Sequence, residues 1–319
     1  MSDAGPLYRD PIFDGAADPT VIYNPHEDAW WMVYTNRRTT VTIEAGLSWL
    51  FGSDLGVASS TDGGATWNYR GIIEGLAFEW GRGTFWAPEI VEHAGVFHMY
   101  VSYIRGIPIE GPPPPMRIHH YTSPDLIQWQ HHGPLALSSD RLIDACVIAR
   151  PDGGWRMWFK DETTGSSTWA ADSPDLFSWT VAGEVLSTPG GHEGPNVFRF
   201  AGSYWLLVDS WDGQLVYRSA DLISWEPDGK ILAGPIGQAH ARVDDTGPGL
   251  HADVVVSGER AWIFYFTHPD RTGPEHPTIR SRRSSIQVAE LTVADGHLVC
   301  DRDRLVTAEL VASAPSHRL

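Results

Sequence analysis

The sequence predicts an all-β protein, a five-bladed β-propeller formed as a single domain by residues 1–319. Three observations favour this fold class: a turn phrase that recurs four times, a pair of apolar segments that recurs five times, and many Trp (15) among many Gly (32) and Pro (23) residues. Aromatic residues set among turn formers are typical of short strands joined by tight turns.

The turn phrase begins with Ser, places Asp two residues later, and ends on Trp. The Asp side chain is expected to bond nearby backbone N–H groups and start a tight turn, while the Trp packs onto the core from the following strand. The four copies lie at 60–67, 123–129, 173–179 and 219–225. We expect the repeated tryptophans to be core residues: Trp30, Trp31, Trp67, Trp129, Trp179 and Trp225.

Before each turn phrase stands a short apolar segment, a polar turn and an aromatic segment, which predicts an antiparallel pair of strands. A fifth pair closes the series, and the five pairs are 19–23 with 30–34, 90–91 with 96–101, 145–149 with 155–159, 196–200 with 204–208, and 253–256 with 261–266. Five repeats of blade length indicate a propeller rather than a sandwich. Four insertions, 37–54, 104–117 (with the proline run 112–115), 233–250 and 267–284, are expected to wall the mouth of a pocket.

Charge and composition exclude several classes of protein. The net charge of −17 leaves no basic face for nucleic acid, since Arg280, Arg282 and Arg283 form only a short cluster. No apolar run approaches the roughly 20 residues of a membrane span. Cys146 lies in an apolar run, and with Cys300 it offers neither zinc spacing nor a disulfide framework. The N-terminal residues lack a signal-peptide pattern, so a cytoplasmic protein is expected.

A polar residue stands at the start of every predicted inner strand. These residues are Asp18, Glu89, Asp144, Glu193 and His251. Each alone is most simply a turn or strand-start residue, but pseudo-symmetry would bring all five to one end of the propeller axis. Clustered carboxylates repel and desolvate one another, which is costly unless chemistry requires it. Glycoside hydrolysis requires it, because one carboxylic acid protonates the leaving oxygen while a carboxylate activates water or attacks the sugar.

The chain resembles the family 43 glycoside hydrolases along its whole length. The residues that carry the resemblance are 17–19 (Ala-Asp-Pro), 86–89 (Trp-Ala-Pro-Glu), 143–144 (Ile-Asp) and 193–195 (Glu-Gly-Pro), in this order on successive blades. The resemblance implies an inverting mechanism with Asp18 as general base, Glu193 as general acid and Asp144 as the residue that tunes and orients Glu193. Glu89 departs from the commoner Asp, and its longer side chain suggests a substrate contact.

The resemblance also implies further contacts. His251 is a candidate substrate contact and would help to hold a hydrated calcium ion on the axis, although its simpler role is a channel histidine. Trp86 is a candidate sugar platform or a core residue, and His192 is a candidate substrate contact that strand alternation turns away from Glu193. No cofactor is needed for the chemistry.

Several functions remain open at this stage. We expect an exo-acting α-L-arabinofuranosidase acting on small oligosaccharides, with a β-D-xylosidase or β-D-galactosidase as alternatives on the same scaffold. A fructosidase is disfavoured, because Asp18 is followed by Pro-Thr and Asp144 by Ala-Cys. A non-catalytic carbohydrate-binding propeller is the alternative from a different class. The oligomeric state is not predicted.

Overall fold

The computed structural model describes residues 5–42, 46–108 and 114–312. Its strands form five four-stranded antiparallel sheets, each made of consecutive strands. The inner strands of the sheets contact one another in cyclic order, so that the fifth sheet meets the first. The predicted five-bladed β-propeller is confirmed. No helix among the described residues is long and apolar enough to cross a bilayer.

The blades divide the chain into five similar stretches. Blade 1 contains β1 (Ala16–Asn24), β2 (Ala29–Asn36), β3 (Asp54–Ser60) and β4 (Asn68–Ile72). Blade 2 contains β5 (Gly83–His93), β6 (Val96–Arg105), β7 (Met116–Ser123) and β8 (Gln130–Pro134). Blade 3 contains β9 (Leu142–Ala149), β10 (Trp155–Asp161), β11 (Ser167–Ser173) and β12 (Thr180–Leu186).

The last two blades follow the same plan. Blade 4 contains β13 (Glu193–Phe200), β14 (Ser203–Asp209), β15 (Gln214–Ser219) and β16 (Glu226–Ile231). Blade 5 contains β17 (Leu250–Ser257), β18 (Arg260–Thr267), β19 (Ser285–Ala294) and β20 (His297–Cys300). One short helix, α1 (Ile279–Arg282), lies in the β18–β19 connection, and two 3₁₀ turns cover Ser48–Leu50 and Glu162–Thr164.

The turn phrase folds as its sequence predicts. In blade 2 the Asp125 carboxylate accepts bonds from the backbone N–H groups of Ile127 (2.9 Å) and Gln128 (2.8 Å). The Trp129 indole then donates to the Leu126 carbonyl at 3.0 Å, which ties the following strand to the turn. Equivalent indole bonds are made by Trp67 and Trp179.

The hydrophobic core is divided among the interfaces between neighbouring blades. Each of the five larger clusters joins residues of two adjacent blades, including the cluster of blades 5 and 1. Trp30, Trp31 and Trp67 are buried, while Trp129, Trp179 and Trp225 are partly buried against these clusters. The tryptophans predicted to be structural therefore hold one blade against the next.

The interface between blades 5 and 1 joins parts of the chain that are far apart in sequence. The Asp253 carboxylate accepts a bond from the Val21 backbone N–H at 2.8 Å. Tyr8 forms an isolated bridge with Ile286 of β19. We call this interface the closing seam, because it closes the ring between the last blade and the first, whose strands belong to separate sheets.

The four insertions lie at the end of the propeller where the inner strands begin. β2 ends opposite the start of β1, and β6 ends opposite the start of β5, so the loops that follow them share that end. The loops before β17 and after β18 are placed there in the same way. Their predicted position at the mouth is confirmed for the described residues, whereas Pro112 and Pro113 of the proline run lie outside them.

Candidate active site

A bulge near the start of every inner strand places the predicted site residues. The pairing with the second strand shifts register at the same point in all five blades. The residues at this point are Asp18, Ala87, Asp144, Gly194 and His251, and the first four have positive φ values of 49°, 44°, 60° and 55°. Left-handed backbone costs about 1–3 kcal/mol at a residue other than Gly and often marks functional positions. Asp18, Asp144 and His251 therefore share one level of the axis.

The sequence-based alignment of the five polar residues is wrong at two positions. Glu193 lies one residue before the bulge of its blade, at the position of Ala17 and Trp86. Glu89 lies two residues after Ala87, where regular pairing resumes, at the position of Cys146 and Asp253. The reason is that the bulge inserts a residue into the inner strand, which sequence spacing does not reveal.

Glu89 belongs to a ring of contacts between blades. Its carboxylate is 3% exposed and accepts a bond from the Val147 N–H of blade 3 at 2.7 Å. Cys146, buried as predicted, accepts in the same way from Val197 of blade 4, and Asp253 accepts from Val21 of blade 1. The geometry thus gives Glu89 a structural role, and the substrate contact predicted for it has no support from its position.

Replacing Glu89 with alanine is expected to lower the free energy of unfolding by about 1–3 kcal/mol, since the Val147 N–H would remain buried without its acceptor. KM for any substrate should change less than twofold. Denaturant unfolding and steady-state kinetics check this, with Glu226→Ala as control because the Glu226 side chain is 79% exposed. A large rise in KM at unchanged stability would support the substrate contact instead.

Asp18 is held by two cationic side chains. One Arg37 nitrogen lies 3.0 and 3.2 Å from the two carboxylate oxygens of Asp18, and His251 Nδ1 lies 3.6 Å from one of them. Arg37 in turn stacks on Phe266 of blade 5, with its guanidinium carbon 4.5 Å from the ring centre. This arrangement fixes the orientation of the Asp18 carboxylate.

Asp144 is buried between blades 2 and 4. Its backbone N–H donates to Ser102 Oγ and its carboxylate accepts from the Gly194 N–H, both at 3.0 Å. A side chain at Gly194 would stand 2.8 Å from the His251 ring, so this position requires glycine. Burial raises the pKa of Asp144 to about 6, against the opposing charge of His251. Asp144 is therefore linked directly to the residue that follows Glu193.

Glu193 forms an ion pair with a buried lysine. Lys160 Nζ lies 3.1 Å from Glu193 Oε2 and 3.4 Å from Glu162 Oε1. Burial acts to raise the pKa of Glu193, but the charge of Lys160 outweighs it and leaves the pKa below its ordinary value. The Trp211 indole also favours the ionised form.

The structure adds Asp209, a fourth carboxylate that the sequence analysis missed. Asp209 is 1% exposed and faces Glu193 across the β13–β14 pair. Its oxygens accept from the backbone N–H groups of His251 (2.8 Å) and Trp211 (2.7 Å). Burial, followed by the charge of Glu193, raises its pKa to about 7.

Arg37, Lys160 and Trp211 were also missed. Lys160 lies one residue before the end of the buried strand β10, opposite Ile143. Asp209 is the last residue of the buried strand β14, opposite Glu193. A charged residue at the end of a buried strand is a signal that could have identified both. Trp211 is 45% exposed beside the ion pair and has a positive φ of 61°. No sequence signal distinguishes it from the structural tryptophans.

Two predicted substrate contacts have different outcomes. His192 is completely buried, and its ring nitrogens bond Thr168 (2.7 Å) and Thr188 (3.0 Å). It therefore holds the segment before Glu193, its burial gives no support to the predicted sugar contact, and that contact stays a prediction. Trp86 is half-buried, packs on Phe51 and donates to the Leu50 carbonyl at 2.9 Å. Its role as a sugar platform stays a prediction.

The donor set fits a calcium ion poorly. Within the described part of the chain no three His, Cys, Asp or Glu residues are grouped to hold a metal ion. His251 directs Nδ1 at Asp18, and although burial lowers its pKa, the charges of Asp144 and Asp18 outweigh this and raise it. A protonated imidazole repels a cation. The calcium contact predicted for His251 stays a prediction, and no step below depends on it.

The charges of the site indicate that its carboxylates share at least one proton. Four carboxylates (Asp18, Asp144, Glu193 and Asp209) face the cations Arg37 and Lys160 and a His251 whose pKa is raised. Even with His251 charged, one negative charge remains in a buried site, which favours protonation of one carboxyl group. The arrangement can therefore combine an ionised base with a carboxylic acid in one pocket.

Removing the Lys160 charge is expected to raise the pKa of Glu193. If the protonated form of Glu193 is the reactive one, Lys160→Gln should move the alkaline limb of kcat/KM upward by about one pH unit. A full pH profile checks this, with Arg218→Gln on the outer part of blade 4 as a control for loss of a remote charge. An unmoved or lowered limb would contradict the role of Lys160.

Comparison with known proteins places this geometry on a known scaffold. No protein-family model matches the chain. An alignment of 149 residues with the sucrose-6-phosphate hydrolase of Escherichia coli shows 29% identity. The alignment covers 40% of this chain and 31% of that protein, so it spans about a third of that relative.

Solved structures match over nearly the whole chain. A thermostable family-43 glycoside hydrolase is 17% identical with a TM-score of 0.67, covering 98% of this chain and 99% of its own. A family-43 β-xylosidase/α-arabinofuranosidase from a compost metagenome is 17% identical with a TM-score of 0.68, covering 94% and 97%. A family-43 β-1,3-galactosidase is 15% identical with a TM-score of 0.64, covering 93% and 97%. The fold of this chain is therefore the five-bladed propeller found in family-43 glycoside hydrolases.

Proposed function

We propose that the protein is an inverting, exo-acting glycoside hydrolase that releases terminal sugars, with α-L-arabinofuranosides as its substrates. One observation carries the proposal: Asp18, Asp144 and Glu193 meet at one end of the axis with Arg37, Lys160 and His251 beside them. Several buried carboxylates at the mouth of a propeller have no structural requirement, whereas glycoside hydrolysis needs a pair of them.

The proposed roles follow from the surroundings of each carboxylate. Asp18, whose carboxylate accepts a hydrogen bond from Arg37, is the general base that takes a proton from water. Glu193 is the general acid that protonates the departing oxygen. Asp144 contacts the Gly194 N–H and supplies negative charge, which favours the protonated form of Glu193 against the effect of Lys160.

Inversion is proposed over retention on the resemblance to family-43 glycoside hydrolases. Asp18 belongs to blade 1 and Glu193 to blade 4, and blade 5 separates them on the shorter side. Inverting enzymes keep their carboxyl groups about 6.5–9.5 Å apart so that water fits beside the sugar. The insertion loops around the mouth favour a closed pocket and hence release of a terminal unit.

The choice of sugar follows the names of the structural neighbours. One of them is a β-xylosidase/α-arabinofuranosidase in complex with xylotriose, and another is a β-1,3-galactosidase. A β-D-xylosidase or β-D-galactosidase is therefore the second candidate. A non-catalytic sugar-binding propeller would not explain why several buried carboxylates and their counter-ions lie together.

The experiment is turnover of 4-nitrophenyl α-L-arabinofuranoside, β-D-xyloside and β-D-galactoside, with NMR detection of the first anomer released. We expect one sugar to be preferred and its anomeric configuration to be inverted. Release with retained configuration would exclude Asp18 as a base acting on water. Binding of oligosaccharides without turnover of any glycoside would favour the non-catalytic alternative.

A further inference from the structure

A cleft lies beside the proposed catalytic pocket, between the loop before β17 and the loop after β18. Its empty space is about 230 Å³ when the part open to solvent is included, and the enclosed part is about the size of one water molecule, so the cleft is shallow. The wall consists of small and apolar residues such as Ile236, Thr246 and Leu250, together with the polar side chains of His268 and Arg271. Leu250 directly precedes His251, so the cleft begins one residue away from the carboxylate cluster.

Arg271 brings a positive charge into this cleft without an acidic partner. Its guanidinium donates to the carbonyls of Gly273 (2.8 Å) and Pro274 (2.7 Å). Among the described residues no carboxylate oxygen lies within 4.0 Å of it, whereas Arg283 in the same loop pairs with both Asp244 and Asp270. A partly buried cation that is compensated by carbonyl dipoles, and only at longer range by the exposed Glu275, is stabilised further when an anion joins it.

A second cation, Arg37, lies close enough to Arg271 to affect its pKa. Burial lowers the pKa of Arg271, and the neighbouring charge of Arg37 lowers it further, while Glu275 opposes both. Glu275 is exposed, so its charge is screened by water. Arg37 stacks on Phe266, which pairs with Leu250 of the cleft wall. Because Arg37 itself pairs with Asp18, Arg271 is the cation that is left to attract an anion to the cleft.

Two histidines of the same loop are neutral, and one of them, His268, lines the cleft. Nδ1 of His268 lies 2.9 Å from the Arg283 carbonyl and Nδ1 of His276 lies 2.9 Å from the Ser281 carbonyl. Because a carbonyl only accepts, each Nδ1 carries the hydrogen, which leaves Nε2 as an acceptor. Burial, together with nearby positive charge, lowers the pKa of both rings and keeps them neutral. Neutral acceptors of this kind suit the hydroxyl groups of a sugar.

We propose that this cleft is a subsite for an anionic substituent of the substrate, a sugar carboxylate or a sugar phosphate, with Arg271 as the counter-ion. The inference rests on the proposed glycosidase function for the identity of the group that carries the anion. A chain of net charge −17 repels anions in general. A local cation without an acidic partner then allows an anion to bind only at this place. The cleft would therefore determine which substrates the protein accepts.

The first test is direct binding, which does not depend on catalysis. Inorganic phosphate and D-glucuronate are titrated into the whole protein by calorimetry at low salt, with D-glucose as the neutral probe. We expect saturable binding of at least one anion, weakened about 10- to 100-fold in Arg271→Gln. The control is Arg280→Gln in the same loop, since the Arg280 side chain is 83% exposed and should leave binding unchanged.

Each outcome decides a different point. Binding of phosphate alone identifies a phosphate subsite, and binding of glucuronate alone identifies a carboxylate subsite. If neither anion binds, or if Arg271→Gln and Arg280→Gln weaken binding equally, the inference is overturned.

The second test uses turnover. Aryl glycosides are compared with their uronate and 6-phosphate forms, and the ratio of kcat/KM for the anionic form to that for the neutral form should fall about 10- to 100-fold in Arg271→Gln. If the wild-type protein shows no preference for the anionic form, the inference is overturned. If no glycoside is hydrolysed at all, the proposed function fails while the binding titration still decides the inference.

Discussion

Replacing Asp18 with asparagine is expected to reduce kcat by about 10³- to 10⁴-fold with little change in KM. The amide keeps the shape of the side chain, and its oxygen can still accept the Arg37 hydrogen bond seen at 3.0 Å. It cannot take a proton from water, so the nucleophile is no longer activated. The loss should be similar for all leaving groups, because the base acts on water and not on the departing oxygen.

The measurement is steady-state turnover of the best glycoside found for wild type. The matched control is Asp152→Asn, because Asp152 is an exposed aspartate on a blade 3 turn whose carboxylate pairs only with arginine. Thermal unfolding of both variants shows whether the fold is kept. Activity that survives in Asp18→Asn would move the base to another carboxylate, with Asp209 as the first to examine.

Replacing Glu193 with glutamine is expected to lower turnover in proportion to how much the leaving group needs a proton. For an oligosaccharide or alkyl glycoside the loss should be about 10²- to 10⁴-fold. For a 2,4-dinitrophenyl glycoside, whose leaving group departs without a proton, turnover should stay within about tenfold of wild type. The alkaline limb of the pH profile should also disappear, because it reports deprotonation of the acid.

Glu162→Gln provides the matched control for this variant. Glu162 contacts the same lysine, with its carboxylate 3.4 Å from Lys160 Nζ, but it lies in the 3₁₀ turn after β10 and not on an inner strand. Both substitutions remove one negative charge from Lys160. A dependence on the leaving group that appears in both variants would therefore reflect the lysine and contradict the assignment of Glu193.

The repeats made most of the fold predictable. The Asp-to-Trp turn phrase depends on local hydrogen bonds such as those of Asp125 and Trp129, so its meaning is contained in a few consecutive residues. The same holds for the paired apolar segments, whose alternation and length indicate strands. What these patterns lack is the register of one strand against the next.

The candidate site was predictable only in part for that reason. Asp18, Asp144 and His251 lie at one level of the axis, as their shared place at the start of the inner strands predicted, whereas Glu89 is displaced by two positions into the ring of contacts between blades. Arg37, Lys160 and Asp209 reach the site from the second strands or from the loop after β2. Their positions depend on which residues of β2, β10 and β14 stand opposite the bulge, and pairing across strands is not written in local sequence.

The closing seam has a further consequence for how the protein moves. Four of the five interfaces join blades that follow one another in the chain, so a covalent connection limits how far they separate. Blades 5 and 1 lack such a connection, so only non-covalent contacts such as the Asp253–Val21 hydrogen bond hold this interface together. Asp18 and His251 face each other across this interface at 3.6 Å. Fluctuations of the ring therefore act directly on the proposed base, and a sugar bound between blades 5 and 1 would work as a clasp that tightens the whole ring.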